Sequence, residues 1–178
     1  MKITLIRHAK VDYQLKSWCC AFAFDEDIKG YNESPIKTVQ QTQSVFLGKV
    51  LYVSSLKRTH ETAEMLFPQI KYTENNLFDE IPIKAFAKIS YSLPMSMWLL
   101  IGRIQWFLGS KKQSETRKMS KARAVKAVDV LESENERVTL ICHGLFLRLL
   151  VHELQHRGYQ LKEKATYGNL DEIHLYKN

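Results

Sequence analysis

Ile3-Thr4-Leu5-Ile6-Arg7-His8-Ala9-Lys10 is an apolar run that stops abruptly at an arginine and a histidine. A short β-branched run of this kind predicts a buried strand, and in an open α/β sheet the carboxyl ends of the strands open into the ligand crevice. Arg7 and His8 are then expected at the lip of that crevice. Histidine offers a nucleophilic nitrogen near neutral pH, and arginine a fork that fits phosphate oxygens. The arrangement has a near copy far along the chain, Val138-Thr139-Leu140-Ile141-Cys142-His143-Gly144.

Between these two strand ends the chain alternates in type. Val50-Leu51-Tyr52-Val53 predicts a second buried strand. Arg58 to Leu66 predicts a helix, with Ser54 and Ser55 as caps and Pro68 as terminator. Ile70 to Thr73 is expected as an edge strand. Residues 118–131 predict a helix, because Ala122, Val125, Val128 and Leu131 recur every three positions. A helix from about Leu145 to His156 and a strand over Ile173–Tyr176 follow. This alternation predicts a single three-layer α/β/α domain over residues 1–178, with a mainly parallel central sheet. Residues 11–36 are expected as a long loop, with Gly30, Asn32, Ser34 and Pro35 marking turns, and Lys37 to about Leu47 permits a helix. Residues 82–113, broken by Pro82 and Pro94 and rich in large apolar groups from Met95 to Leu108, are expected as a small helical lid insertion. The other reading of 95–108, set behind the lid, is an amphipathic element on a membrane surface, since Lys111 and Lys112 follow directly.

Composition narrows the class of ligand. The 178 residues carry a formal charge of +7, which suits an anionic partner. No basic stripe with interleaved aromatics argues for nucleic acid, so a small phosphorylated molecule or a phosphopeptide is the expected partner. Three cysteines, two of them adjacent, form neither a disulfide framework nor a zinc-ligand spacing. With no export signal read at the start, a cytoplasmic location is the default expectation.

Three expected sheet ends thus carry Arg7 and His8, Ser54 leading to Arg58, and His143 with Gly144. A phosphoryl group in transfer spreads negative charge over its equatorial oxygens, so a cage of cationic donors stabilises it. Free backbone N–H groups after Gly144 would add anion-binding capacity. Two arginines near one imidazole push its pKa down and keep it nucleophilic.

Four segments, ITLIRHAK, VLYVSSLKRTHETAEML, NNLFDEI and VTLICHGLFLRLL, together resemble the histidine phosphatase superfamily, the phosphoglycerate mutase-like group, in its order and roughly its spacing. GYNESPI, QSETRKMSKARAVKAV and YGNLDEIHLY are weaker echoes. The resemblance implies His8 as the nucleophile, with Arg7, Arg58 and His143 holding the phosphoryl group. It implies Glu80 as the general acid and later base, with neighbouring Asp79 the alternative. It implies no metal and no cofactor. The sequence has Arg-His-Ala rather than Arg-His-Gly, Gln14 where mutase-like members carry asparagine, and Gln113-Ser114-Glu115-Thr116 in place of a Gly-Gly-Glu-Ser-like turn. These departures favour a small phosphomonoesterase over a mutase-type phosphotransferase.

Two readings of other classes compete. One is a binding module that holds a phosphorylated ligand without turnover. The other is a zinc metalloprotease, from His152-Glu153-Leu154-Gln155-His156, whose two imidazoles would share a helix face. Charged Arg157 and the missing glycine at Tyr159 count against it, and two surface histidines are the expected outcome. His60 and His174 are given no chemistry, and Cys142 is expected as a small buried hydrophobe.

Overall fold

The computed structural model describes residues 1–37 and 48–177, so the helix permitted between Lys37 and Leu47 lies almost wholly outside the described residues. Its sheet is built from β1 (Lys2–Arg7), β3 (Val50–Val53), β4 (Thr73–Glu74), β6 (Val138–Cys142), β7 (Gln160–Leu161) and β8 (Glu172–Tyr176), in the order β4-β3-β6-β1-β8-β7. The first four strands in that order run parallel, and β8 and β7 are added antiparallel. The mainly parallel α/β architecture read from the sequence is therefore present.

Alternate strand residues serve opposite faces, as the period of two requires. Leu5, Tyr52 and Leu140 pack with Ala127, Leu131, Phe146 and Leu150 from α4 (Arg117–Ser133) and α5 (Gly144–His156). Ile6, Leu51, Val53 and Ile141 pack with Ala63 and Leu66 from α2 (Lys57–Leu66). Each such aliphatic side chain, taken fully out of water, contributes about 1.5–3 kcal/mol. The helices begin and end within a few residues of their expected bounds. The expected edge strand at 70–73 shrinks to Thr73–Glu74, because Ile70 turns inward to join the α2 cluster.

The larger difference lies in residues 11–36, expected as a loop. They contain β2 (Trp18–Cys19) and α1 (Ala21–Glu33). Gly30, read as a turn residue, sits inside α1, where the missing Cβ leaves room for Tyr13, whose hydroxyl oxygen would stand 2.8 Å from it. Tyr13 in turn donates to buried Asp27, which also accepts from the Lys16 amide.

Residues 82–113 do carry a helix, α3 (Met95–Phe107), but they do not stand apart from the earlier segment. A short strand before it, β5 (Leu93–Pro94), pairs antiparallel with β2. Trp98 on α3 stacks on Phe24 of α1 at 5.6 Å, meets Phe86 at 4.5 Å, and donates its indole N–H to the Cys19 carbonyl. Gly102 lets the helix close on Ile83, whose side-chain atoms lie 3.0 Å from where a Cβ would be. Trp106 binds the Ser120 hydroxyl and so ties the insertion to α4. Among the described residues no helix is long and apolar enough to cross a membrane.

Candidate active site

Register brings the two strand-end histidines together. In the parallel pair β1–β6, Arg7 lies opposite Cys142, so the next residues, His8 and His143, leave the sheet side by side. Their ring centroids are 5.1 Å apart. On the other side of β6, Val53 of β3 pairs with Ile141, which delivers Ser54 and then α2 with Arg58 to the same edge.

His8 is almost fully buried, and its tautomer is fixed by its neighbours. Nδ1 lies 2.7 Å from the Ala9 carbonyl, an acceptor only, so Nδ1 carries the proton. Nε2 keeps its lone pair and has no partner among the described residues. Burial first, and then the Arg58 charge, lower its pKa to about 3; the Ala9 carbonyl acts in the opposite sense, and Arg7 adds to the lowering. The imidazole is neutral throughout the physiological range. The backbone around it is pinned by the Asn169 amide on the His8 carbonyl and by the Thr62 hydroxyl, which accepts from the Ala9 N–H at 3.0 Å.

Two guanidiniums share the cavity with His8 and act on its charge. Arg58 is buried, donates to the side-chain oxygen of Asn32 at 3.0 Å, and lies over the Tyr31 ring at 5.3 Å. Arg7 donates to the Tyr167 carbonyl at 2.6 Å, while its Nε is buried with no hydrogen-bond partner. Neither arginine has a carboxylate within ion-pair distance among the described residues. Gly144 makes room for Arg7, since a Cβ there would stand 3.0 Å from the Arg7 Nε.

His143, expected to face the anion, stands behind Arg58. It is fully buried, its Nδ1 accepts the Arg58 Nε–H at 3.2 Å, and its Nε2 lies 2.6 Å from the Ser54 hydroxyl. Because the guanidinium can only donate, Nδ1 is bare and Nε2 bears the proton given to Ser54. Burial, with Arg58 and His8 next, holds His143 well below the ordinary histidine pKa. Both of its nitrogens are thus engaged within the protein.

The acidic pair separates in direction. Asp79 accepts from the Ser55 amide at 2.8 Å and the Ser55 hydroxyl at 2.7 Å. Glu80 accepts from the amides of Ile81, Leu145 and Phe146 at 2.9, 3.4 and 3.2 Å, and so caps the start of α5. The expectation that these first-turn amides are free for an anion is corrected here: those of Leu145 and Phe146 already point at Glu80. Sequence reasoning also missed Arg123. It holds Glu115 in a two-bonded pair at 3.1 and 2.9 Å, donates to the carbonyls of Leu77 and Asp79, and lies over the Phe146 ring at 4.0 Å. Its sequence signal was a charged residue next to the buried face of α4, formed by Ser120, Ala124, Ala127, Val128 and Leu131.

Arg7, His8, Arg58, Asp79 and Glu80 share one cavity of about 680 Å³, which Arg103 and Arg123 also line. Its remaining wall is largely apolar, from Leu15 and Ile28 on one side to Ile81, Ile83 and Leu99 on the other. The α1 and α3 segments therefore supply part of the cavity wall. His152 and His156 are exposed on α5, with Glu153 held by Arg157 at 2.8 Å. The described residues contain no group of three potential metal ligands. Buried Cys142 bonds weakly to the Phe78 carbonyl, and burial raises its thiol pKa.

No curated protein matches the chain in sequence. Solved structures of phosphatases share its fold. A mycobacterial glucosyl-3-phosphoglycerate phosphatase superposes with a TM-score of 0.63 at 15% identity, covering 97% of this chain and 88% of that one. A phosphoserine phosphatase mutant from Entamoeba histolytica, in complex with phosphoserine, gives 0.56 at 15%, covering 97% and 89%. The alpha-ribazole phosphatase from Shigella flexneri gives 0.56 at 14%, covering 86% and 79%. The family profile described as histidine phosphatase superfamily (branch 1) matches residues 3–175, nearly the whole length, and by that match the chain belongs to this superfamily and is an enzyme of the phosphatase type.

Proposed function

We propose that the protein hydrolyses a phosphomonoester through a phosphohistidine on His8, without a metal. The observation that carries this reading is a pair of guanidiniums, Arg7 and Arg58, that share a cavity with the bare Nε2 of a neutral histidine and have no carboxylate partner among the described residues. Two cations without an ion-paired carboxylate among the described residues, in one cavity with a bare imidazole nitrogen, suit a phosphate dianion in charge.

In the first step the His8 Nε2 lone pair forms a bond to phosphorus as the ester P–O bond breaks, and Glu80 gives a proton to the departing alkoxide. In the second, water attacks phosphorus, its proton passes to Glu80, the P–N bond breaks, and inorganic phosphate leaves. Arg7 and Arg58 hold the equatorial oxygens in both steps. His143 acts from behind, fixing the Arg58 fork through its Nδ1. Glu80 is preferred to Asp79 because among the described residues its Oε2 has only the Leu145 amide, at 3.4 Å, whereas Ser55 holds both Asp79 oxygens at 2.8 and 2.7 Å.

The test is turnover of an aryl phosphate by wild type and by His8→Ala. Loss of at least a thousandfold in kcat supports the reading; equal rates reject it in favour of a ligand-binding module. Product analysis with a second phosphorylated alcohol present separates water from an organic acceptor, and hydrolysis is the expected outcome.

A further inference from the structure

We propose that the outer face of α3 is a docking surface for an anionic lipid bilayer. The inner face of the helix is fully used: Met95, Trp98, Gly102 and Trp106 are buried against α1, Ile83 and α4. On the opposite face stand Met97, Leu100, Ile104, Phe107 and Leu108, exposed to 41, 62, 46, 55 and 75%. At 3.6 residues per turn these five fall on an arc of about 100°, with no polar residue inside it. Trp18, 63% exposed, lies opposite Pro94 in the β2–β5 pair, directly before the first turn of the helix. An exposed apolar ridge of this size on a soluble fold marks an interaction surface.

Charge decides the occupant. Residues 81–114 contain no aspartate or glutamate, and besides Arg103, which lines the His8 cavity, they carry four lysines, Lys84, Lys88, Lys111 and Lys112. All four lysines are exposed, and none is in an ion pair among the described residues. Gly109, at φ 76°, ends the helix and turns the chain so that Lys111 and Lys112 follow the apolar tip Phe107-Leu108 at once. A second copy of this chain on the same face would bring two such unbalanced sets of cations together, which is repulsive. An anionic bilayer instead meets the ridge with acyl chain and the lysines with headgroup charge, each near-surface lysine adding to the attraction.

The inference is independent of the chemistry at His8, and its readout needs no turnover. The full-length protein is sedimented with vesicles of mixed phosphatidylcholine and phosphatidylglycerol and with vesicles of phosphatidylcholine alone. Binding to the mixed vesicles, at least roughly tenfold weaker to the neutral ones, is expected. Leu100→Gln with Leu108→Gln is expected to weaken it a further tenfold or more while soluble aryl phosphate turnover, which also reports an intact fold, stays unchanged. Lys111→Glu with Lys112→Glu is expected to do the same. Three results overturn the proposal: no sedimentation with mixed vesicles, sedimentation undiminished in the leucine variant, or a concentration-dependent dimer that this variant abolishes.

Discussion

Arg58 gives its Nε–H to Nδ1 of His143 across 3.2 Å, and both groups are buried. A cation therefore donates to a histidine that must stay neutral, and Ser54 takes the proton on the far side of the ring. In the free protein the second histidine is an anchor for the guanidinium. His143→Gln is accordingly expected to retain part of the phosphate affinity, because the amide oxygen can still accept from Arg58. His143→Ala is expected to lose one to two orders of magnitude more in kcat/KM. Equal losses in the two variants would contradict the anchoring role.

The two buried histidines also shape stability against pH. His8 has its pKa lowered from 6.5 to about 3, and His143 is lowered as well, so between those limits the unfolded chain binds protons that the folded chain refuses. Stability is therefore full above about pH 6.5 and falls as the pH drops toward 3. Full linkage of one such group costs about 1.4 kcal/mol per pH unit. Denaturant melts of wild type and His8→Asn at pH 7 and pH 5 check this. The variant is expected to lose about 1–2 kcal/mol less on acidification.

Gly144 packs its α-carbon under the Arg7 guanidinium, with Arg7 Nε 3.0 Å and Cζ 3.1 Å from a would-be Cβ. Gly144→Ala moves the guanidinium by a few tenths of an ångström while favouring the helix it begins. Inhibition by inorganic phosphate is expected to weaken three- to tenfold, about 0.6–1.4 kcal/mol, with Tm unchanged or raised. Unchanged inhibition would mean that Arg7 does not grip the anion.

Trp98 holds the segments at 11–36 and 82–113 together, and Trp106 joins them to α4. If residues 1–178 unfold as one domain, Trp98→Ala lowers a single transition by about 3–5 kcal/mol. Calorimetry showing the transition split in two would make the lid a separate unit.

The sheet's centre and its candidate site were readable because β1, β3 and β6 are apolar runs, each followed by polar residues out of place in a core. Parallel register then did the rest, setting His8 beside His143. Helix α1 was obscured by its own residues. Asp25-Glu26-Asp27 interrupts the apolar pattern, and Gly30 reads as a turn until Tyr13 is seen packed against it. Its apolar face also has no meaning before Trp98, far along the chain, arrives to cover it. Tautomers were out of reach for the same reason: Ala9 fixes one ring and Arg58 with Ser54 the other, and only the last two are distant partners. Arg123 was hidden because its value lies in the carbonyls of Leu77 and Asp79, which no side-chain pattern announces.

The reading of the pocket rests on a covalent bond to one nitrogen, and that bond can be observed. Enzyme mixed with labelled phosphomonoester, quenched in base within the first turnovers and digested, is expected to yield label on the His8 peptide, lost on brief acid treatment as a phosphoramidate is, and absent in His8→Ala. Product released at full rate with no acid-labile label on His8 at any quench time, or label on a carboxylate or hydroxyl instead, would contradict it.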